Sequence, residues 1–371
     1  MAEHAASKPT GRRGLIAVDL FCGAGGFSLA ALKSGMSVVA ALELSPHACA
    51  TYLANFSSVE PSPPILFPKD ITEFPPSTFM ERTGLQSGQV DILMGGPPCQ
   101  GFSTHRIKGS GIDDPRNKLI LHYFEYLFAL RPKAFVVENV PGMLWPRHAE
   151  YVEAFYLLSK QAGYTVLPPK LINARDHGVP QNRKRAFILG FRGEVPAGLT
   201  WPPTPTAFAP TSREVLEHGL PAWRTAQSVF DRPIAETDPN AIHMHHTPRI
   251  VEVFKSTPSN GGSRHQSCRV LPCHQTHNGH KDVYGRIDPH HPGPTMTTAC
   301  INPSKGRFLH PTEHHGISVR HAARFQTFPD DFVFTGGIIA AGVQVGNAVP
   351  VLLGQAVLNT IAAALRHPED E

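Results

Sequence analysis

Long apolar runs are scarce in this chain of 371 residues. No stretch reads as approaching the roughly 20 consecutive apolar residues that a bilayer-spanning helix needs, so a membrane protein is not expected. Residues 1–14 contain an arginine pair but no apolar block, which argues against a secretion signal and predicts a disordered arm. Cysteine is sparse and scattered: Cys22, Cys49, Cys99, Cys268, Cys273 and Cys300 show no framework spacing. A disulfide-stapled scaffold is thereby excluded, and free thiols in a reducing, cytoplasmic compartment are expected. No internal repeat occurs, which removes the solenoid architectures. Charge of one sign is not in large surplus either. The net charge of +4 and the isoelectric point of about 8.7 permit a polyanionic partner without demanding one.

From residue 15 to about residue 191 short apolar runs alternate with amphipathic stretches, the pattern of βαβ units around a mainly parallel sheet. Strands are predicted at Leu15 to Leu20, Val38 to Leu42, Val90 to Met94, Ala134 to Glu138 and Arg185 to Gly190. Helices are predicted at Phe27 to Lys33, Pro46 to Asn55, Leu119 to Leu130 and Tyr151 to Ala162. Proline, histidine, glycine and threonine then rise, and twelve of the twenty-one histidines fall between His243 and His315. This predicts a second, loop-rich domain with short strands over residues 193–335, following a first domain over 15–192. Regular patterning resumes at Arg320 to Gln326. A closing segment, 336–371, ends in an apolar-periodic helix from Val349 to Leu365 that is expected to return to the first domain.

One run concentrates the chemistry. Gly95-Gly96-Pro97-Pro98-Cys99-Gln100-Gly101-Phe102-Ser103 follows a predicted buried strand, and its two prolines fix backbone angles beside glycines that permit a sharp turn. Cys99 is held where an α/β protein displays a nucleophile, although an apolar-flanked cysteine also serves as a small buried hydrophobe. Asp19-Leu20-Phe21-Cys22-Gly23-Ala24-Gly25-Gly26 closes the first strand and opens the first helix, a turn whose bare backbone admits a nucleoside. Glu43 ends the second strand, from which a carboxylate reaches ribose hydroxyls, and Asp70-Ile71 offers a carboxylate and an apolar face to an adenine. The spacing Gly-x-Gly-Gly differs from the dinucleotide pattern Gly-x-Gly-x-x-Gly and suits a cofactor without a pyrophosphate, such as S-adenosylmethionine.

Glu138 and Asn139 end a further strand at the same edge as Cys99. Burial raises a carboxylate's pKa, so Glu138 is expected to donate or share a proton, while a turn-forming Glu-Asn remains the alternative. Arg183 and Arg185 alternate on one face of an extended segment, suited to a phosphate or a base carbonyl and equally to a solvated strand end. Cys268, Cys273, His274, His277 and His280 raise the question of zinc. Their spacing is not Cys-x2-Cys followed by His-x3-His, so no metal is expected.

Together these motifs resemble the cytosine-C5 DNA methyltransferase family. The resemblance runs in order through Asp19 to Gly26, Glu43, Asp70-Ile71, Gly95 to Ser103, Asp114 to Leu119, Glu138-Asn139-Val140, Gln181 to Arg185, Arg320 to Pro329 and Gln344 to Val349. It implies a Rossmann-like α/β fold of the S-adenosylmethionine-dependent methyltransferases with a smaller, loop-rich target-recognition domain. It implies Cys99 as nucleophile, Glu138 as the group holding the cytosine N3 proton, Arg183 and Arg185 at the base and nucleophile loop, and Asn139 as the orienting group. Contacts to S-adenosylmethionine carry over to Phe21, Gly23, Gly25, Glu43, Leu44, Asp70, Ile71, Pro98, Leu119, Asn347 and Ala348. DNA contacts are expected at Gln100, Ser103, Arg264, Arg286 and Arg307, on glycine-bearing loops where arginine reads guanine or phosphate.

The implied chemistry needs these types together. The Cys99 thiolate adds to cytosine C6, Glu138 stabilises the charge through N3, and C5 becomes nucleophilic enough to take a methyl group. The base must leave the duplex to reach such a pocket. The resemblance implies double-stranded DNA as partner; one flipped base per event suits a monomer, the small size suggests a prokaryotic, cytoplasmic enzyme, and whether a cognate restriction endonuclease acts separately beside it is left open by the sequence. A transfer-RNA methyltransferase is the near rival, but the Cys-Phe-Thr signature of that branch is missing. A catalytically silent DNA-binding relative is the other, against which the intact Cys99, Glu138, Arg183 and Arg185 argue.

Overall fold

Alternation along β1 (Ile16–Leu20) sends Ala17 to one apolar cluster and Val18 and Leu20 to another, so this strand is covered on both faces. The same holds for β5 (Ala134–Asn139), whose Val136 faces the first cluster and whose Phe135 and Val137 face the second. The structure, a computed structural model, describes residues 14–97, 119–269 and 282–366. Its eight-stranded sheet also contains β2 (Ser37–Glu43), β3 (Ile65–Pro68), β4 (Ile92–Gly95), β6 (Tyr164–Val166), β7 (Lys170–Asn173) and β8 (Lys184–Arg192). The order is β3-β2-β1-β4-β5-β8-β6, with β7 pairing β8 as well. Strands β1 to β5 pair in parallel, whereas β8 is antiparallel to β5, β6 and β7.

All five strands predicted from the sequence are present, with ends shifted by one to two residues at most positions. Three were not foreseen. β3, β6 and β7 have three or four residues each, too short for an alternation to declare itself. Helices α1 (Gly26–Lys33), α2 (Pro46–Phe56), α3 (Pro76–Thr83), α4 (Leu119–Leu130) and α5 (Ala149–Gln161) flank the sheet, and only α3 was unexpected. Ser45 starts α2, its hydroxyl accepting the Ala48 amide at 3.4 Å ahead of a proline in the first turn.

Beyond Arg192 the described residues form no strand, only isolated bridges such as Phe208 with Ala222 and Arg286 with Leu309. The expected short strands are therefore corrected: proline supplies no ladder donor, and buried arginines satisfy the main-chain carbonyls instead. Arg320 meets Asp238 through two nitrogens at 2.5 and 3.0 Å, and Arg324 meets Asp330 at 2.8 and 2.9 Å. The helix Pro248–Ser256 was also missed, being two turns long and buried only through Val253 and Phe254.

Helix Val351–Leu365 packs on α1 so closely that a Cβ at Gly354 would lie 2.7 Å from the Ala30 methyl. The preceding helix, Gly337–Asn347, was not foreseen. Contrary to the sequence expectation, the combined stretch Gly337–Leu365 is long and apolar enough to cross a membrane by length and composition. The apolarity has another use here, since the segment breaks into two helices and half of its apolar window is buried within the protein.

Candidate active site

Parallel strands end at one edge of the sheet, and an antiparallel neighbour begins there. Register fixes this: Leu20 lies opposite Gly95, Gly95 opposite Val137, and Asn139 opposite Ala186. The ends of β1, β2, β4 and β5 and the start of β8 thus bring Phe21, Glu43, Gly96, Pro97, Glu138, Asn139 and Arg185 to one rim. The strand order reverses at β1 and β4, where open α/β sheets form a ligand crevice.

On the β1 side the chain turns through left-handed angles at Phe21, Gly23 and Gly25, with φ of 59°, 55° and 94°. Phe21 alone carries a side chain there, a strain of the kind that concentrates at ligand sites. Gly25 admits no side chain, because a Cβ would come within 2.4 Å of the Phe56 ring, whereas one at Gly23 would enter open space. The Glu43 carboxylate accepts the amides of Gly23 at 2.9 Å and Ser45 at 2.8 Å, one on each oxygen. Each oxygen keeps a further acceptor direction, so the carboxylate is fixed and still able to receive two hydroxyls. Beside it Leu44 is 61% exposed, an apolar side chain without cover. Asp70 is partly exposed and takes the Thr72 amide and hydroxyl on one oxygen, while Ile71 is buried beneath it. This set fits a nucleoside: a carboxylate for the ribose, apolar walls, and a turn with room for the ligand.

Beneath the turn, Asp19 is buried and accepts the Ser28 hydroxyl at 2.6 Å; Ser28 in turn accepts from Tyr52 at 3.0 Å. Burial pushes the Asp19 carboxyl up to about 7, with the Ser28 bonds pulling the other way. Neither Ser28 nor Tyr52 was singled out from the sequence, where both read simply as positions on helices.

On the β5 side Glu138 is 8% exposed and Arg185 Nε lies 2.9 Å from its Oε1. Oε1 has no well-aligned hydrogen bond, so the pair is held by charge. Burial pulls the Arg185 guanidinium below its ordinary value, and the Glu138 carboxylate opposes that. The other carboxylate oxygen, Oε2, faces Gly96, where a Cβ would sit 3.8 Å away. Asn139 Nδ2 donates to the Pro97 carbonyl at 3.2 Å, and its Oδ1 accepts the Val140 amide at 2.8 Å. Gly95 is required by packing, since a Cβ would meet the Tyr123 ring at 2.6 Å. Pro98, Cys99, Gln100 and Ser103 lie outside the described residues, as do Cys273, His274, His277 and His280.

Several expectations are corrected. Arg183 is turned inward: it is fully buried and donates to the carbonyls of Met296 at 2.7 Å, Gly346 at 2.8 Å and Ala348 at 3.1 Å. Arg286 is likewise turned inward, bonding the carbonyls of Thr257, Phe254, His310 and Glu313. Arg264 is 4% exposed, and Arg307 donates to the carbonyls of Gly261, Gly262 and Arg286 while pairing with Asp282. Among the described residues the guanidiniums of Arg183 and Arg286 are taken by main-chain carbonyls, and that of Arg307 by carbonyls and Asp282. Leu119 opens α4, Asn347 ends its helix exposed, and Ala348 is buried next to the glycine turn.

The sheet order, the glycine turn and the Glu43 carboxylate define an α/β fold of the S-adenosylmethionine-dependent methyltransferase type. Residues 15–363 match the model of the C-5 cytosine-specific DNA methylases, and the chain belongs to that family. It is 33% identical over 355 residues to the Type II methyltransferase M1.HphI of Haemophilus parahaemolyticus, covering 93% of this chain and 86% of that one. It is 30% identical over 368 residues to M.NgoPII of Neisseria gonorrhoeae, covering 97% and 98%. Among solved structures it resembles a prophage-encoded DNA modification methyltransferase of E. coli, with a TM-score of 0.71 at 23% identity, covering 95% and 100%. A Dnmt2 methyltransferase of S. pombe gives a TM-score of 0.58 at 15% identity, covering 95% and 100%.

Proposed function

We propose that this protein methylates C5 of cytosine in double-stranded DNA, with S-adenosylmethionine as methyl donor. The observation that carries the reading is the Glu138–Arg185 pair set against Gly96 and Pro97, with Asn139 bonded to the Pro97 carbonyl. Cys99 follows Pro97 by two residues, so the chain enters the nucleophile loop from a fixed point beside the carboxylate.

In this reading Glu138 meets N3 of a cytosine taken out of the duplex, while Arg185 holds the carboxylate in place and adds positive charge beside the ring. Cys99 forms a bond to C6 as its thiolate, and the ring's electron density moves to C5. The donor, when bound, supplies an electrophilic methyl group. Glu43 would take its ribose hydroxyls, Phe21 and Ile71 its base, and Gly23 and Gly25 the close approach. Loss of the C5 proton and departure of the Cys99 thiolate restore the aromatic ring. Residues 193–335 would read the target sequence, and a cytoplasmic monomer, with any restriction endonuclease acting separately, completes the reading.

A duplex carrying 5-fluorocytosine at the target cannot lose a proton from C5, so it should trap a covalent adduct that survives denaturation. The same DNA incubated with Cys99→Ala protein should give none, although the variant still binds S-adenosylhomocysteine. Tritiated methyl transfer by Cys99→Ala, or transfer to RNA in preference to DNA, would overturn the assignment.

A further inference from the structure

Two buried glutamines join four stretches of the chain. Gln181 Nε2 donates to the Phe325 carbonyl at 2.7 Å and to Gln326 Oε1 at 2.6 Å, and its own Oε1 accepts the Met296 amide at 2.9 Å. Gln326 Nε2 donates to the carbonyls of Val345 at 2.6 Å and Ala348 at 3.0 Å. Both residues are fully buried. Both donors and the acceptor of each amide are used, so reversing either amide would set donor against donor; the relay has one orientation. Arg183 runs beside it, from the Met296 carbonyl to those of Gly346 and Ala348.

Packing extends this chain of contacts to both sides. A Cβ at Gly346 would lie 2.3 Å from the Thr297 main chain. At the other end, a Cβ at Gly26 would lie 2.6 Å from the Val349 carbonyl and 3.3 Å from the Ala348 methyl. Gly293 is tied to the catalytic domain by its own main-chain bonds, to Asn182 at 2.8 Å and Pro180 at 2.9 Å. Residues 293–297 therefore rest on Gly346, and the Gly346–Val349 corner rests on the glycine turn, with no gap between.

We propose that Gln326 is a positioning residue for the cofactor: acting through Ala348, it holds the Gly346–Val349 corner against the glycine turn and couples that turn to the segment around Met296. The inference rests on the reading of the glycine turn as a methyl-donor site. Because coupling free energies are reciprocal, filling that site steadies residues 293–297, and whatever steadies those residues favours cofactor binding.

Amide hydrogen exchange on the wild-type protein, with and without S-adenosylhomocysteine, tests the coupling without any substitution. Exchange over 293–297 should slow by about threefold or more on binding; bound ligand with unchanged exchange overturns the proposal. Gln326→Glu replaces the nitrogen that carries both N–H donors by one oxygen facing the carbonyls of Val345 and Ala348. It should weaken S-adenosylhomocysteine binding by about tenfold in calorimetry and raise the KM for S-adenosylmethionine similarly, with kcat at saturation within about threefold. Unaltered affinity in a folded variant, or reduced kcat at constant KM, refutes it. Gly346→Ala, which displaces Thr297 and leaves the relay's side chains intact, should weaken binding in the same direction. Wild-type protein that binds S-adenosylhomocysteine but methylates no DNA would fail the functional reading alone, whereas wild-type protein that does not bind it would fail both.

Discussion

The amide of Asn139 donates to the main-chain oxygen of Pro97 at 3.2 Å, joining the end of β5 to the residue two positions before Cys99. The side chain's other end is taken by the Val140 amide, so its orientation is settled by two partners. One residue thus fixes where the chain leading to Cys99 leaves the sheet, next to the carboxylate that precedes it in sequence.

Asn139→Ala should lower kcat about tenfold, the equivalent of one lost hydrogen bond of about 1.4 kcal/mol expressed at the loop. S-adenosylhomocysteine affinity should be unaltered, since Glu43 and the glycine turn are elsewhere on the rim. Single-turnover methyl transfer and calorimetry measure the two quantities, and a parallel fall in both would contradict the assignment of Asn139 to the loop.

Glu138 and Arg185 are both nearly out of solvent, so removing one leaves the other charge without its partner. Arg185→Met is expected to lower folding stability by about 3 kcal/mol or more. The double variant Glu138→Gln/Arg185→Met should be less destabilised than the sum of the single changes. Urea unfolding of the four proteins in the cycle provides the comparison.

Asp19 contributes a pH dependence with a definite sign. Its folded-state carboxyl is raised from 3.8 to about 7, so the native state binds this proton more tightly than the unfolded chain does. Stability from this group is complete below about pH 4 and declines as pH rises through 7, by at most about 4 kcal/mol. Asp19→Asn should remove that decline. Unfolding free energies of wild type and variant between pH 4 and 8 would diverge, and parallel curves would show that Asp19 is ionised in the native state across the range.

Arg286 predicts a separation of stability from DNA affinity. Its guanidinium serves the carbonyls of Phe254, Thr257, His310 and Glu313 from inside the region beyond β8. Arg286→Met should cost about 3 kcal/mol or more in unfolding experiments. At temperatures where the variant is folded, its affinity for DNA should stay within about twofold of wild type in gel-shift titrations. A loss of affinity without loss of stability would restore Arg286 to the DNA surface.

The first domain was readable because parallel strands buried on both faces must be apolar, and because glycine turns and Pro-Pro pairs carry their geometry in their composition. Glu43, Glu138 and Arg185 lie at or beside strand ends, as the apolar runs before or after them implied. Arg183 and Arg286 were misread for one physical reason. A guanidinium that caps buried carbonyls and one that reads a base are the same residue type beside the same glycines, and only the path of the rest of the chain distinguishes them. Gln326 was passed over because its partners, Gln181, Val345 and Ala348, come from two distant stretches of sequence.

The Val349 carbonyl on Gly26 and the helix Val351–Leu365 on α1 join residues far apart in the sequence. Synthesis proceeds at roughly 5–20 residues per second and domains tend to fold as they emerge, yet here the wall beside the glycine turn belongs to helices made long after the turn itself. The wall beside the glycine turn is therefore completed only after residues 193–335 have been made, and in the proposed reading a nascent chain gains its methyl-donor site only then.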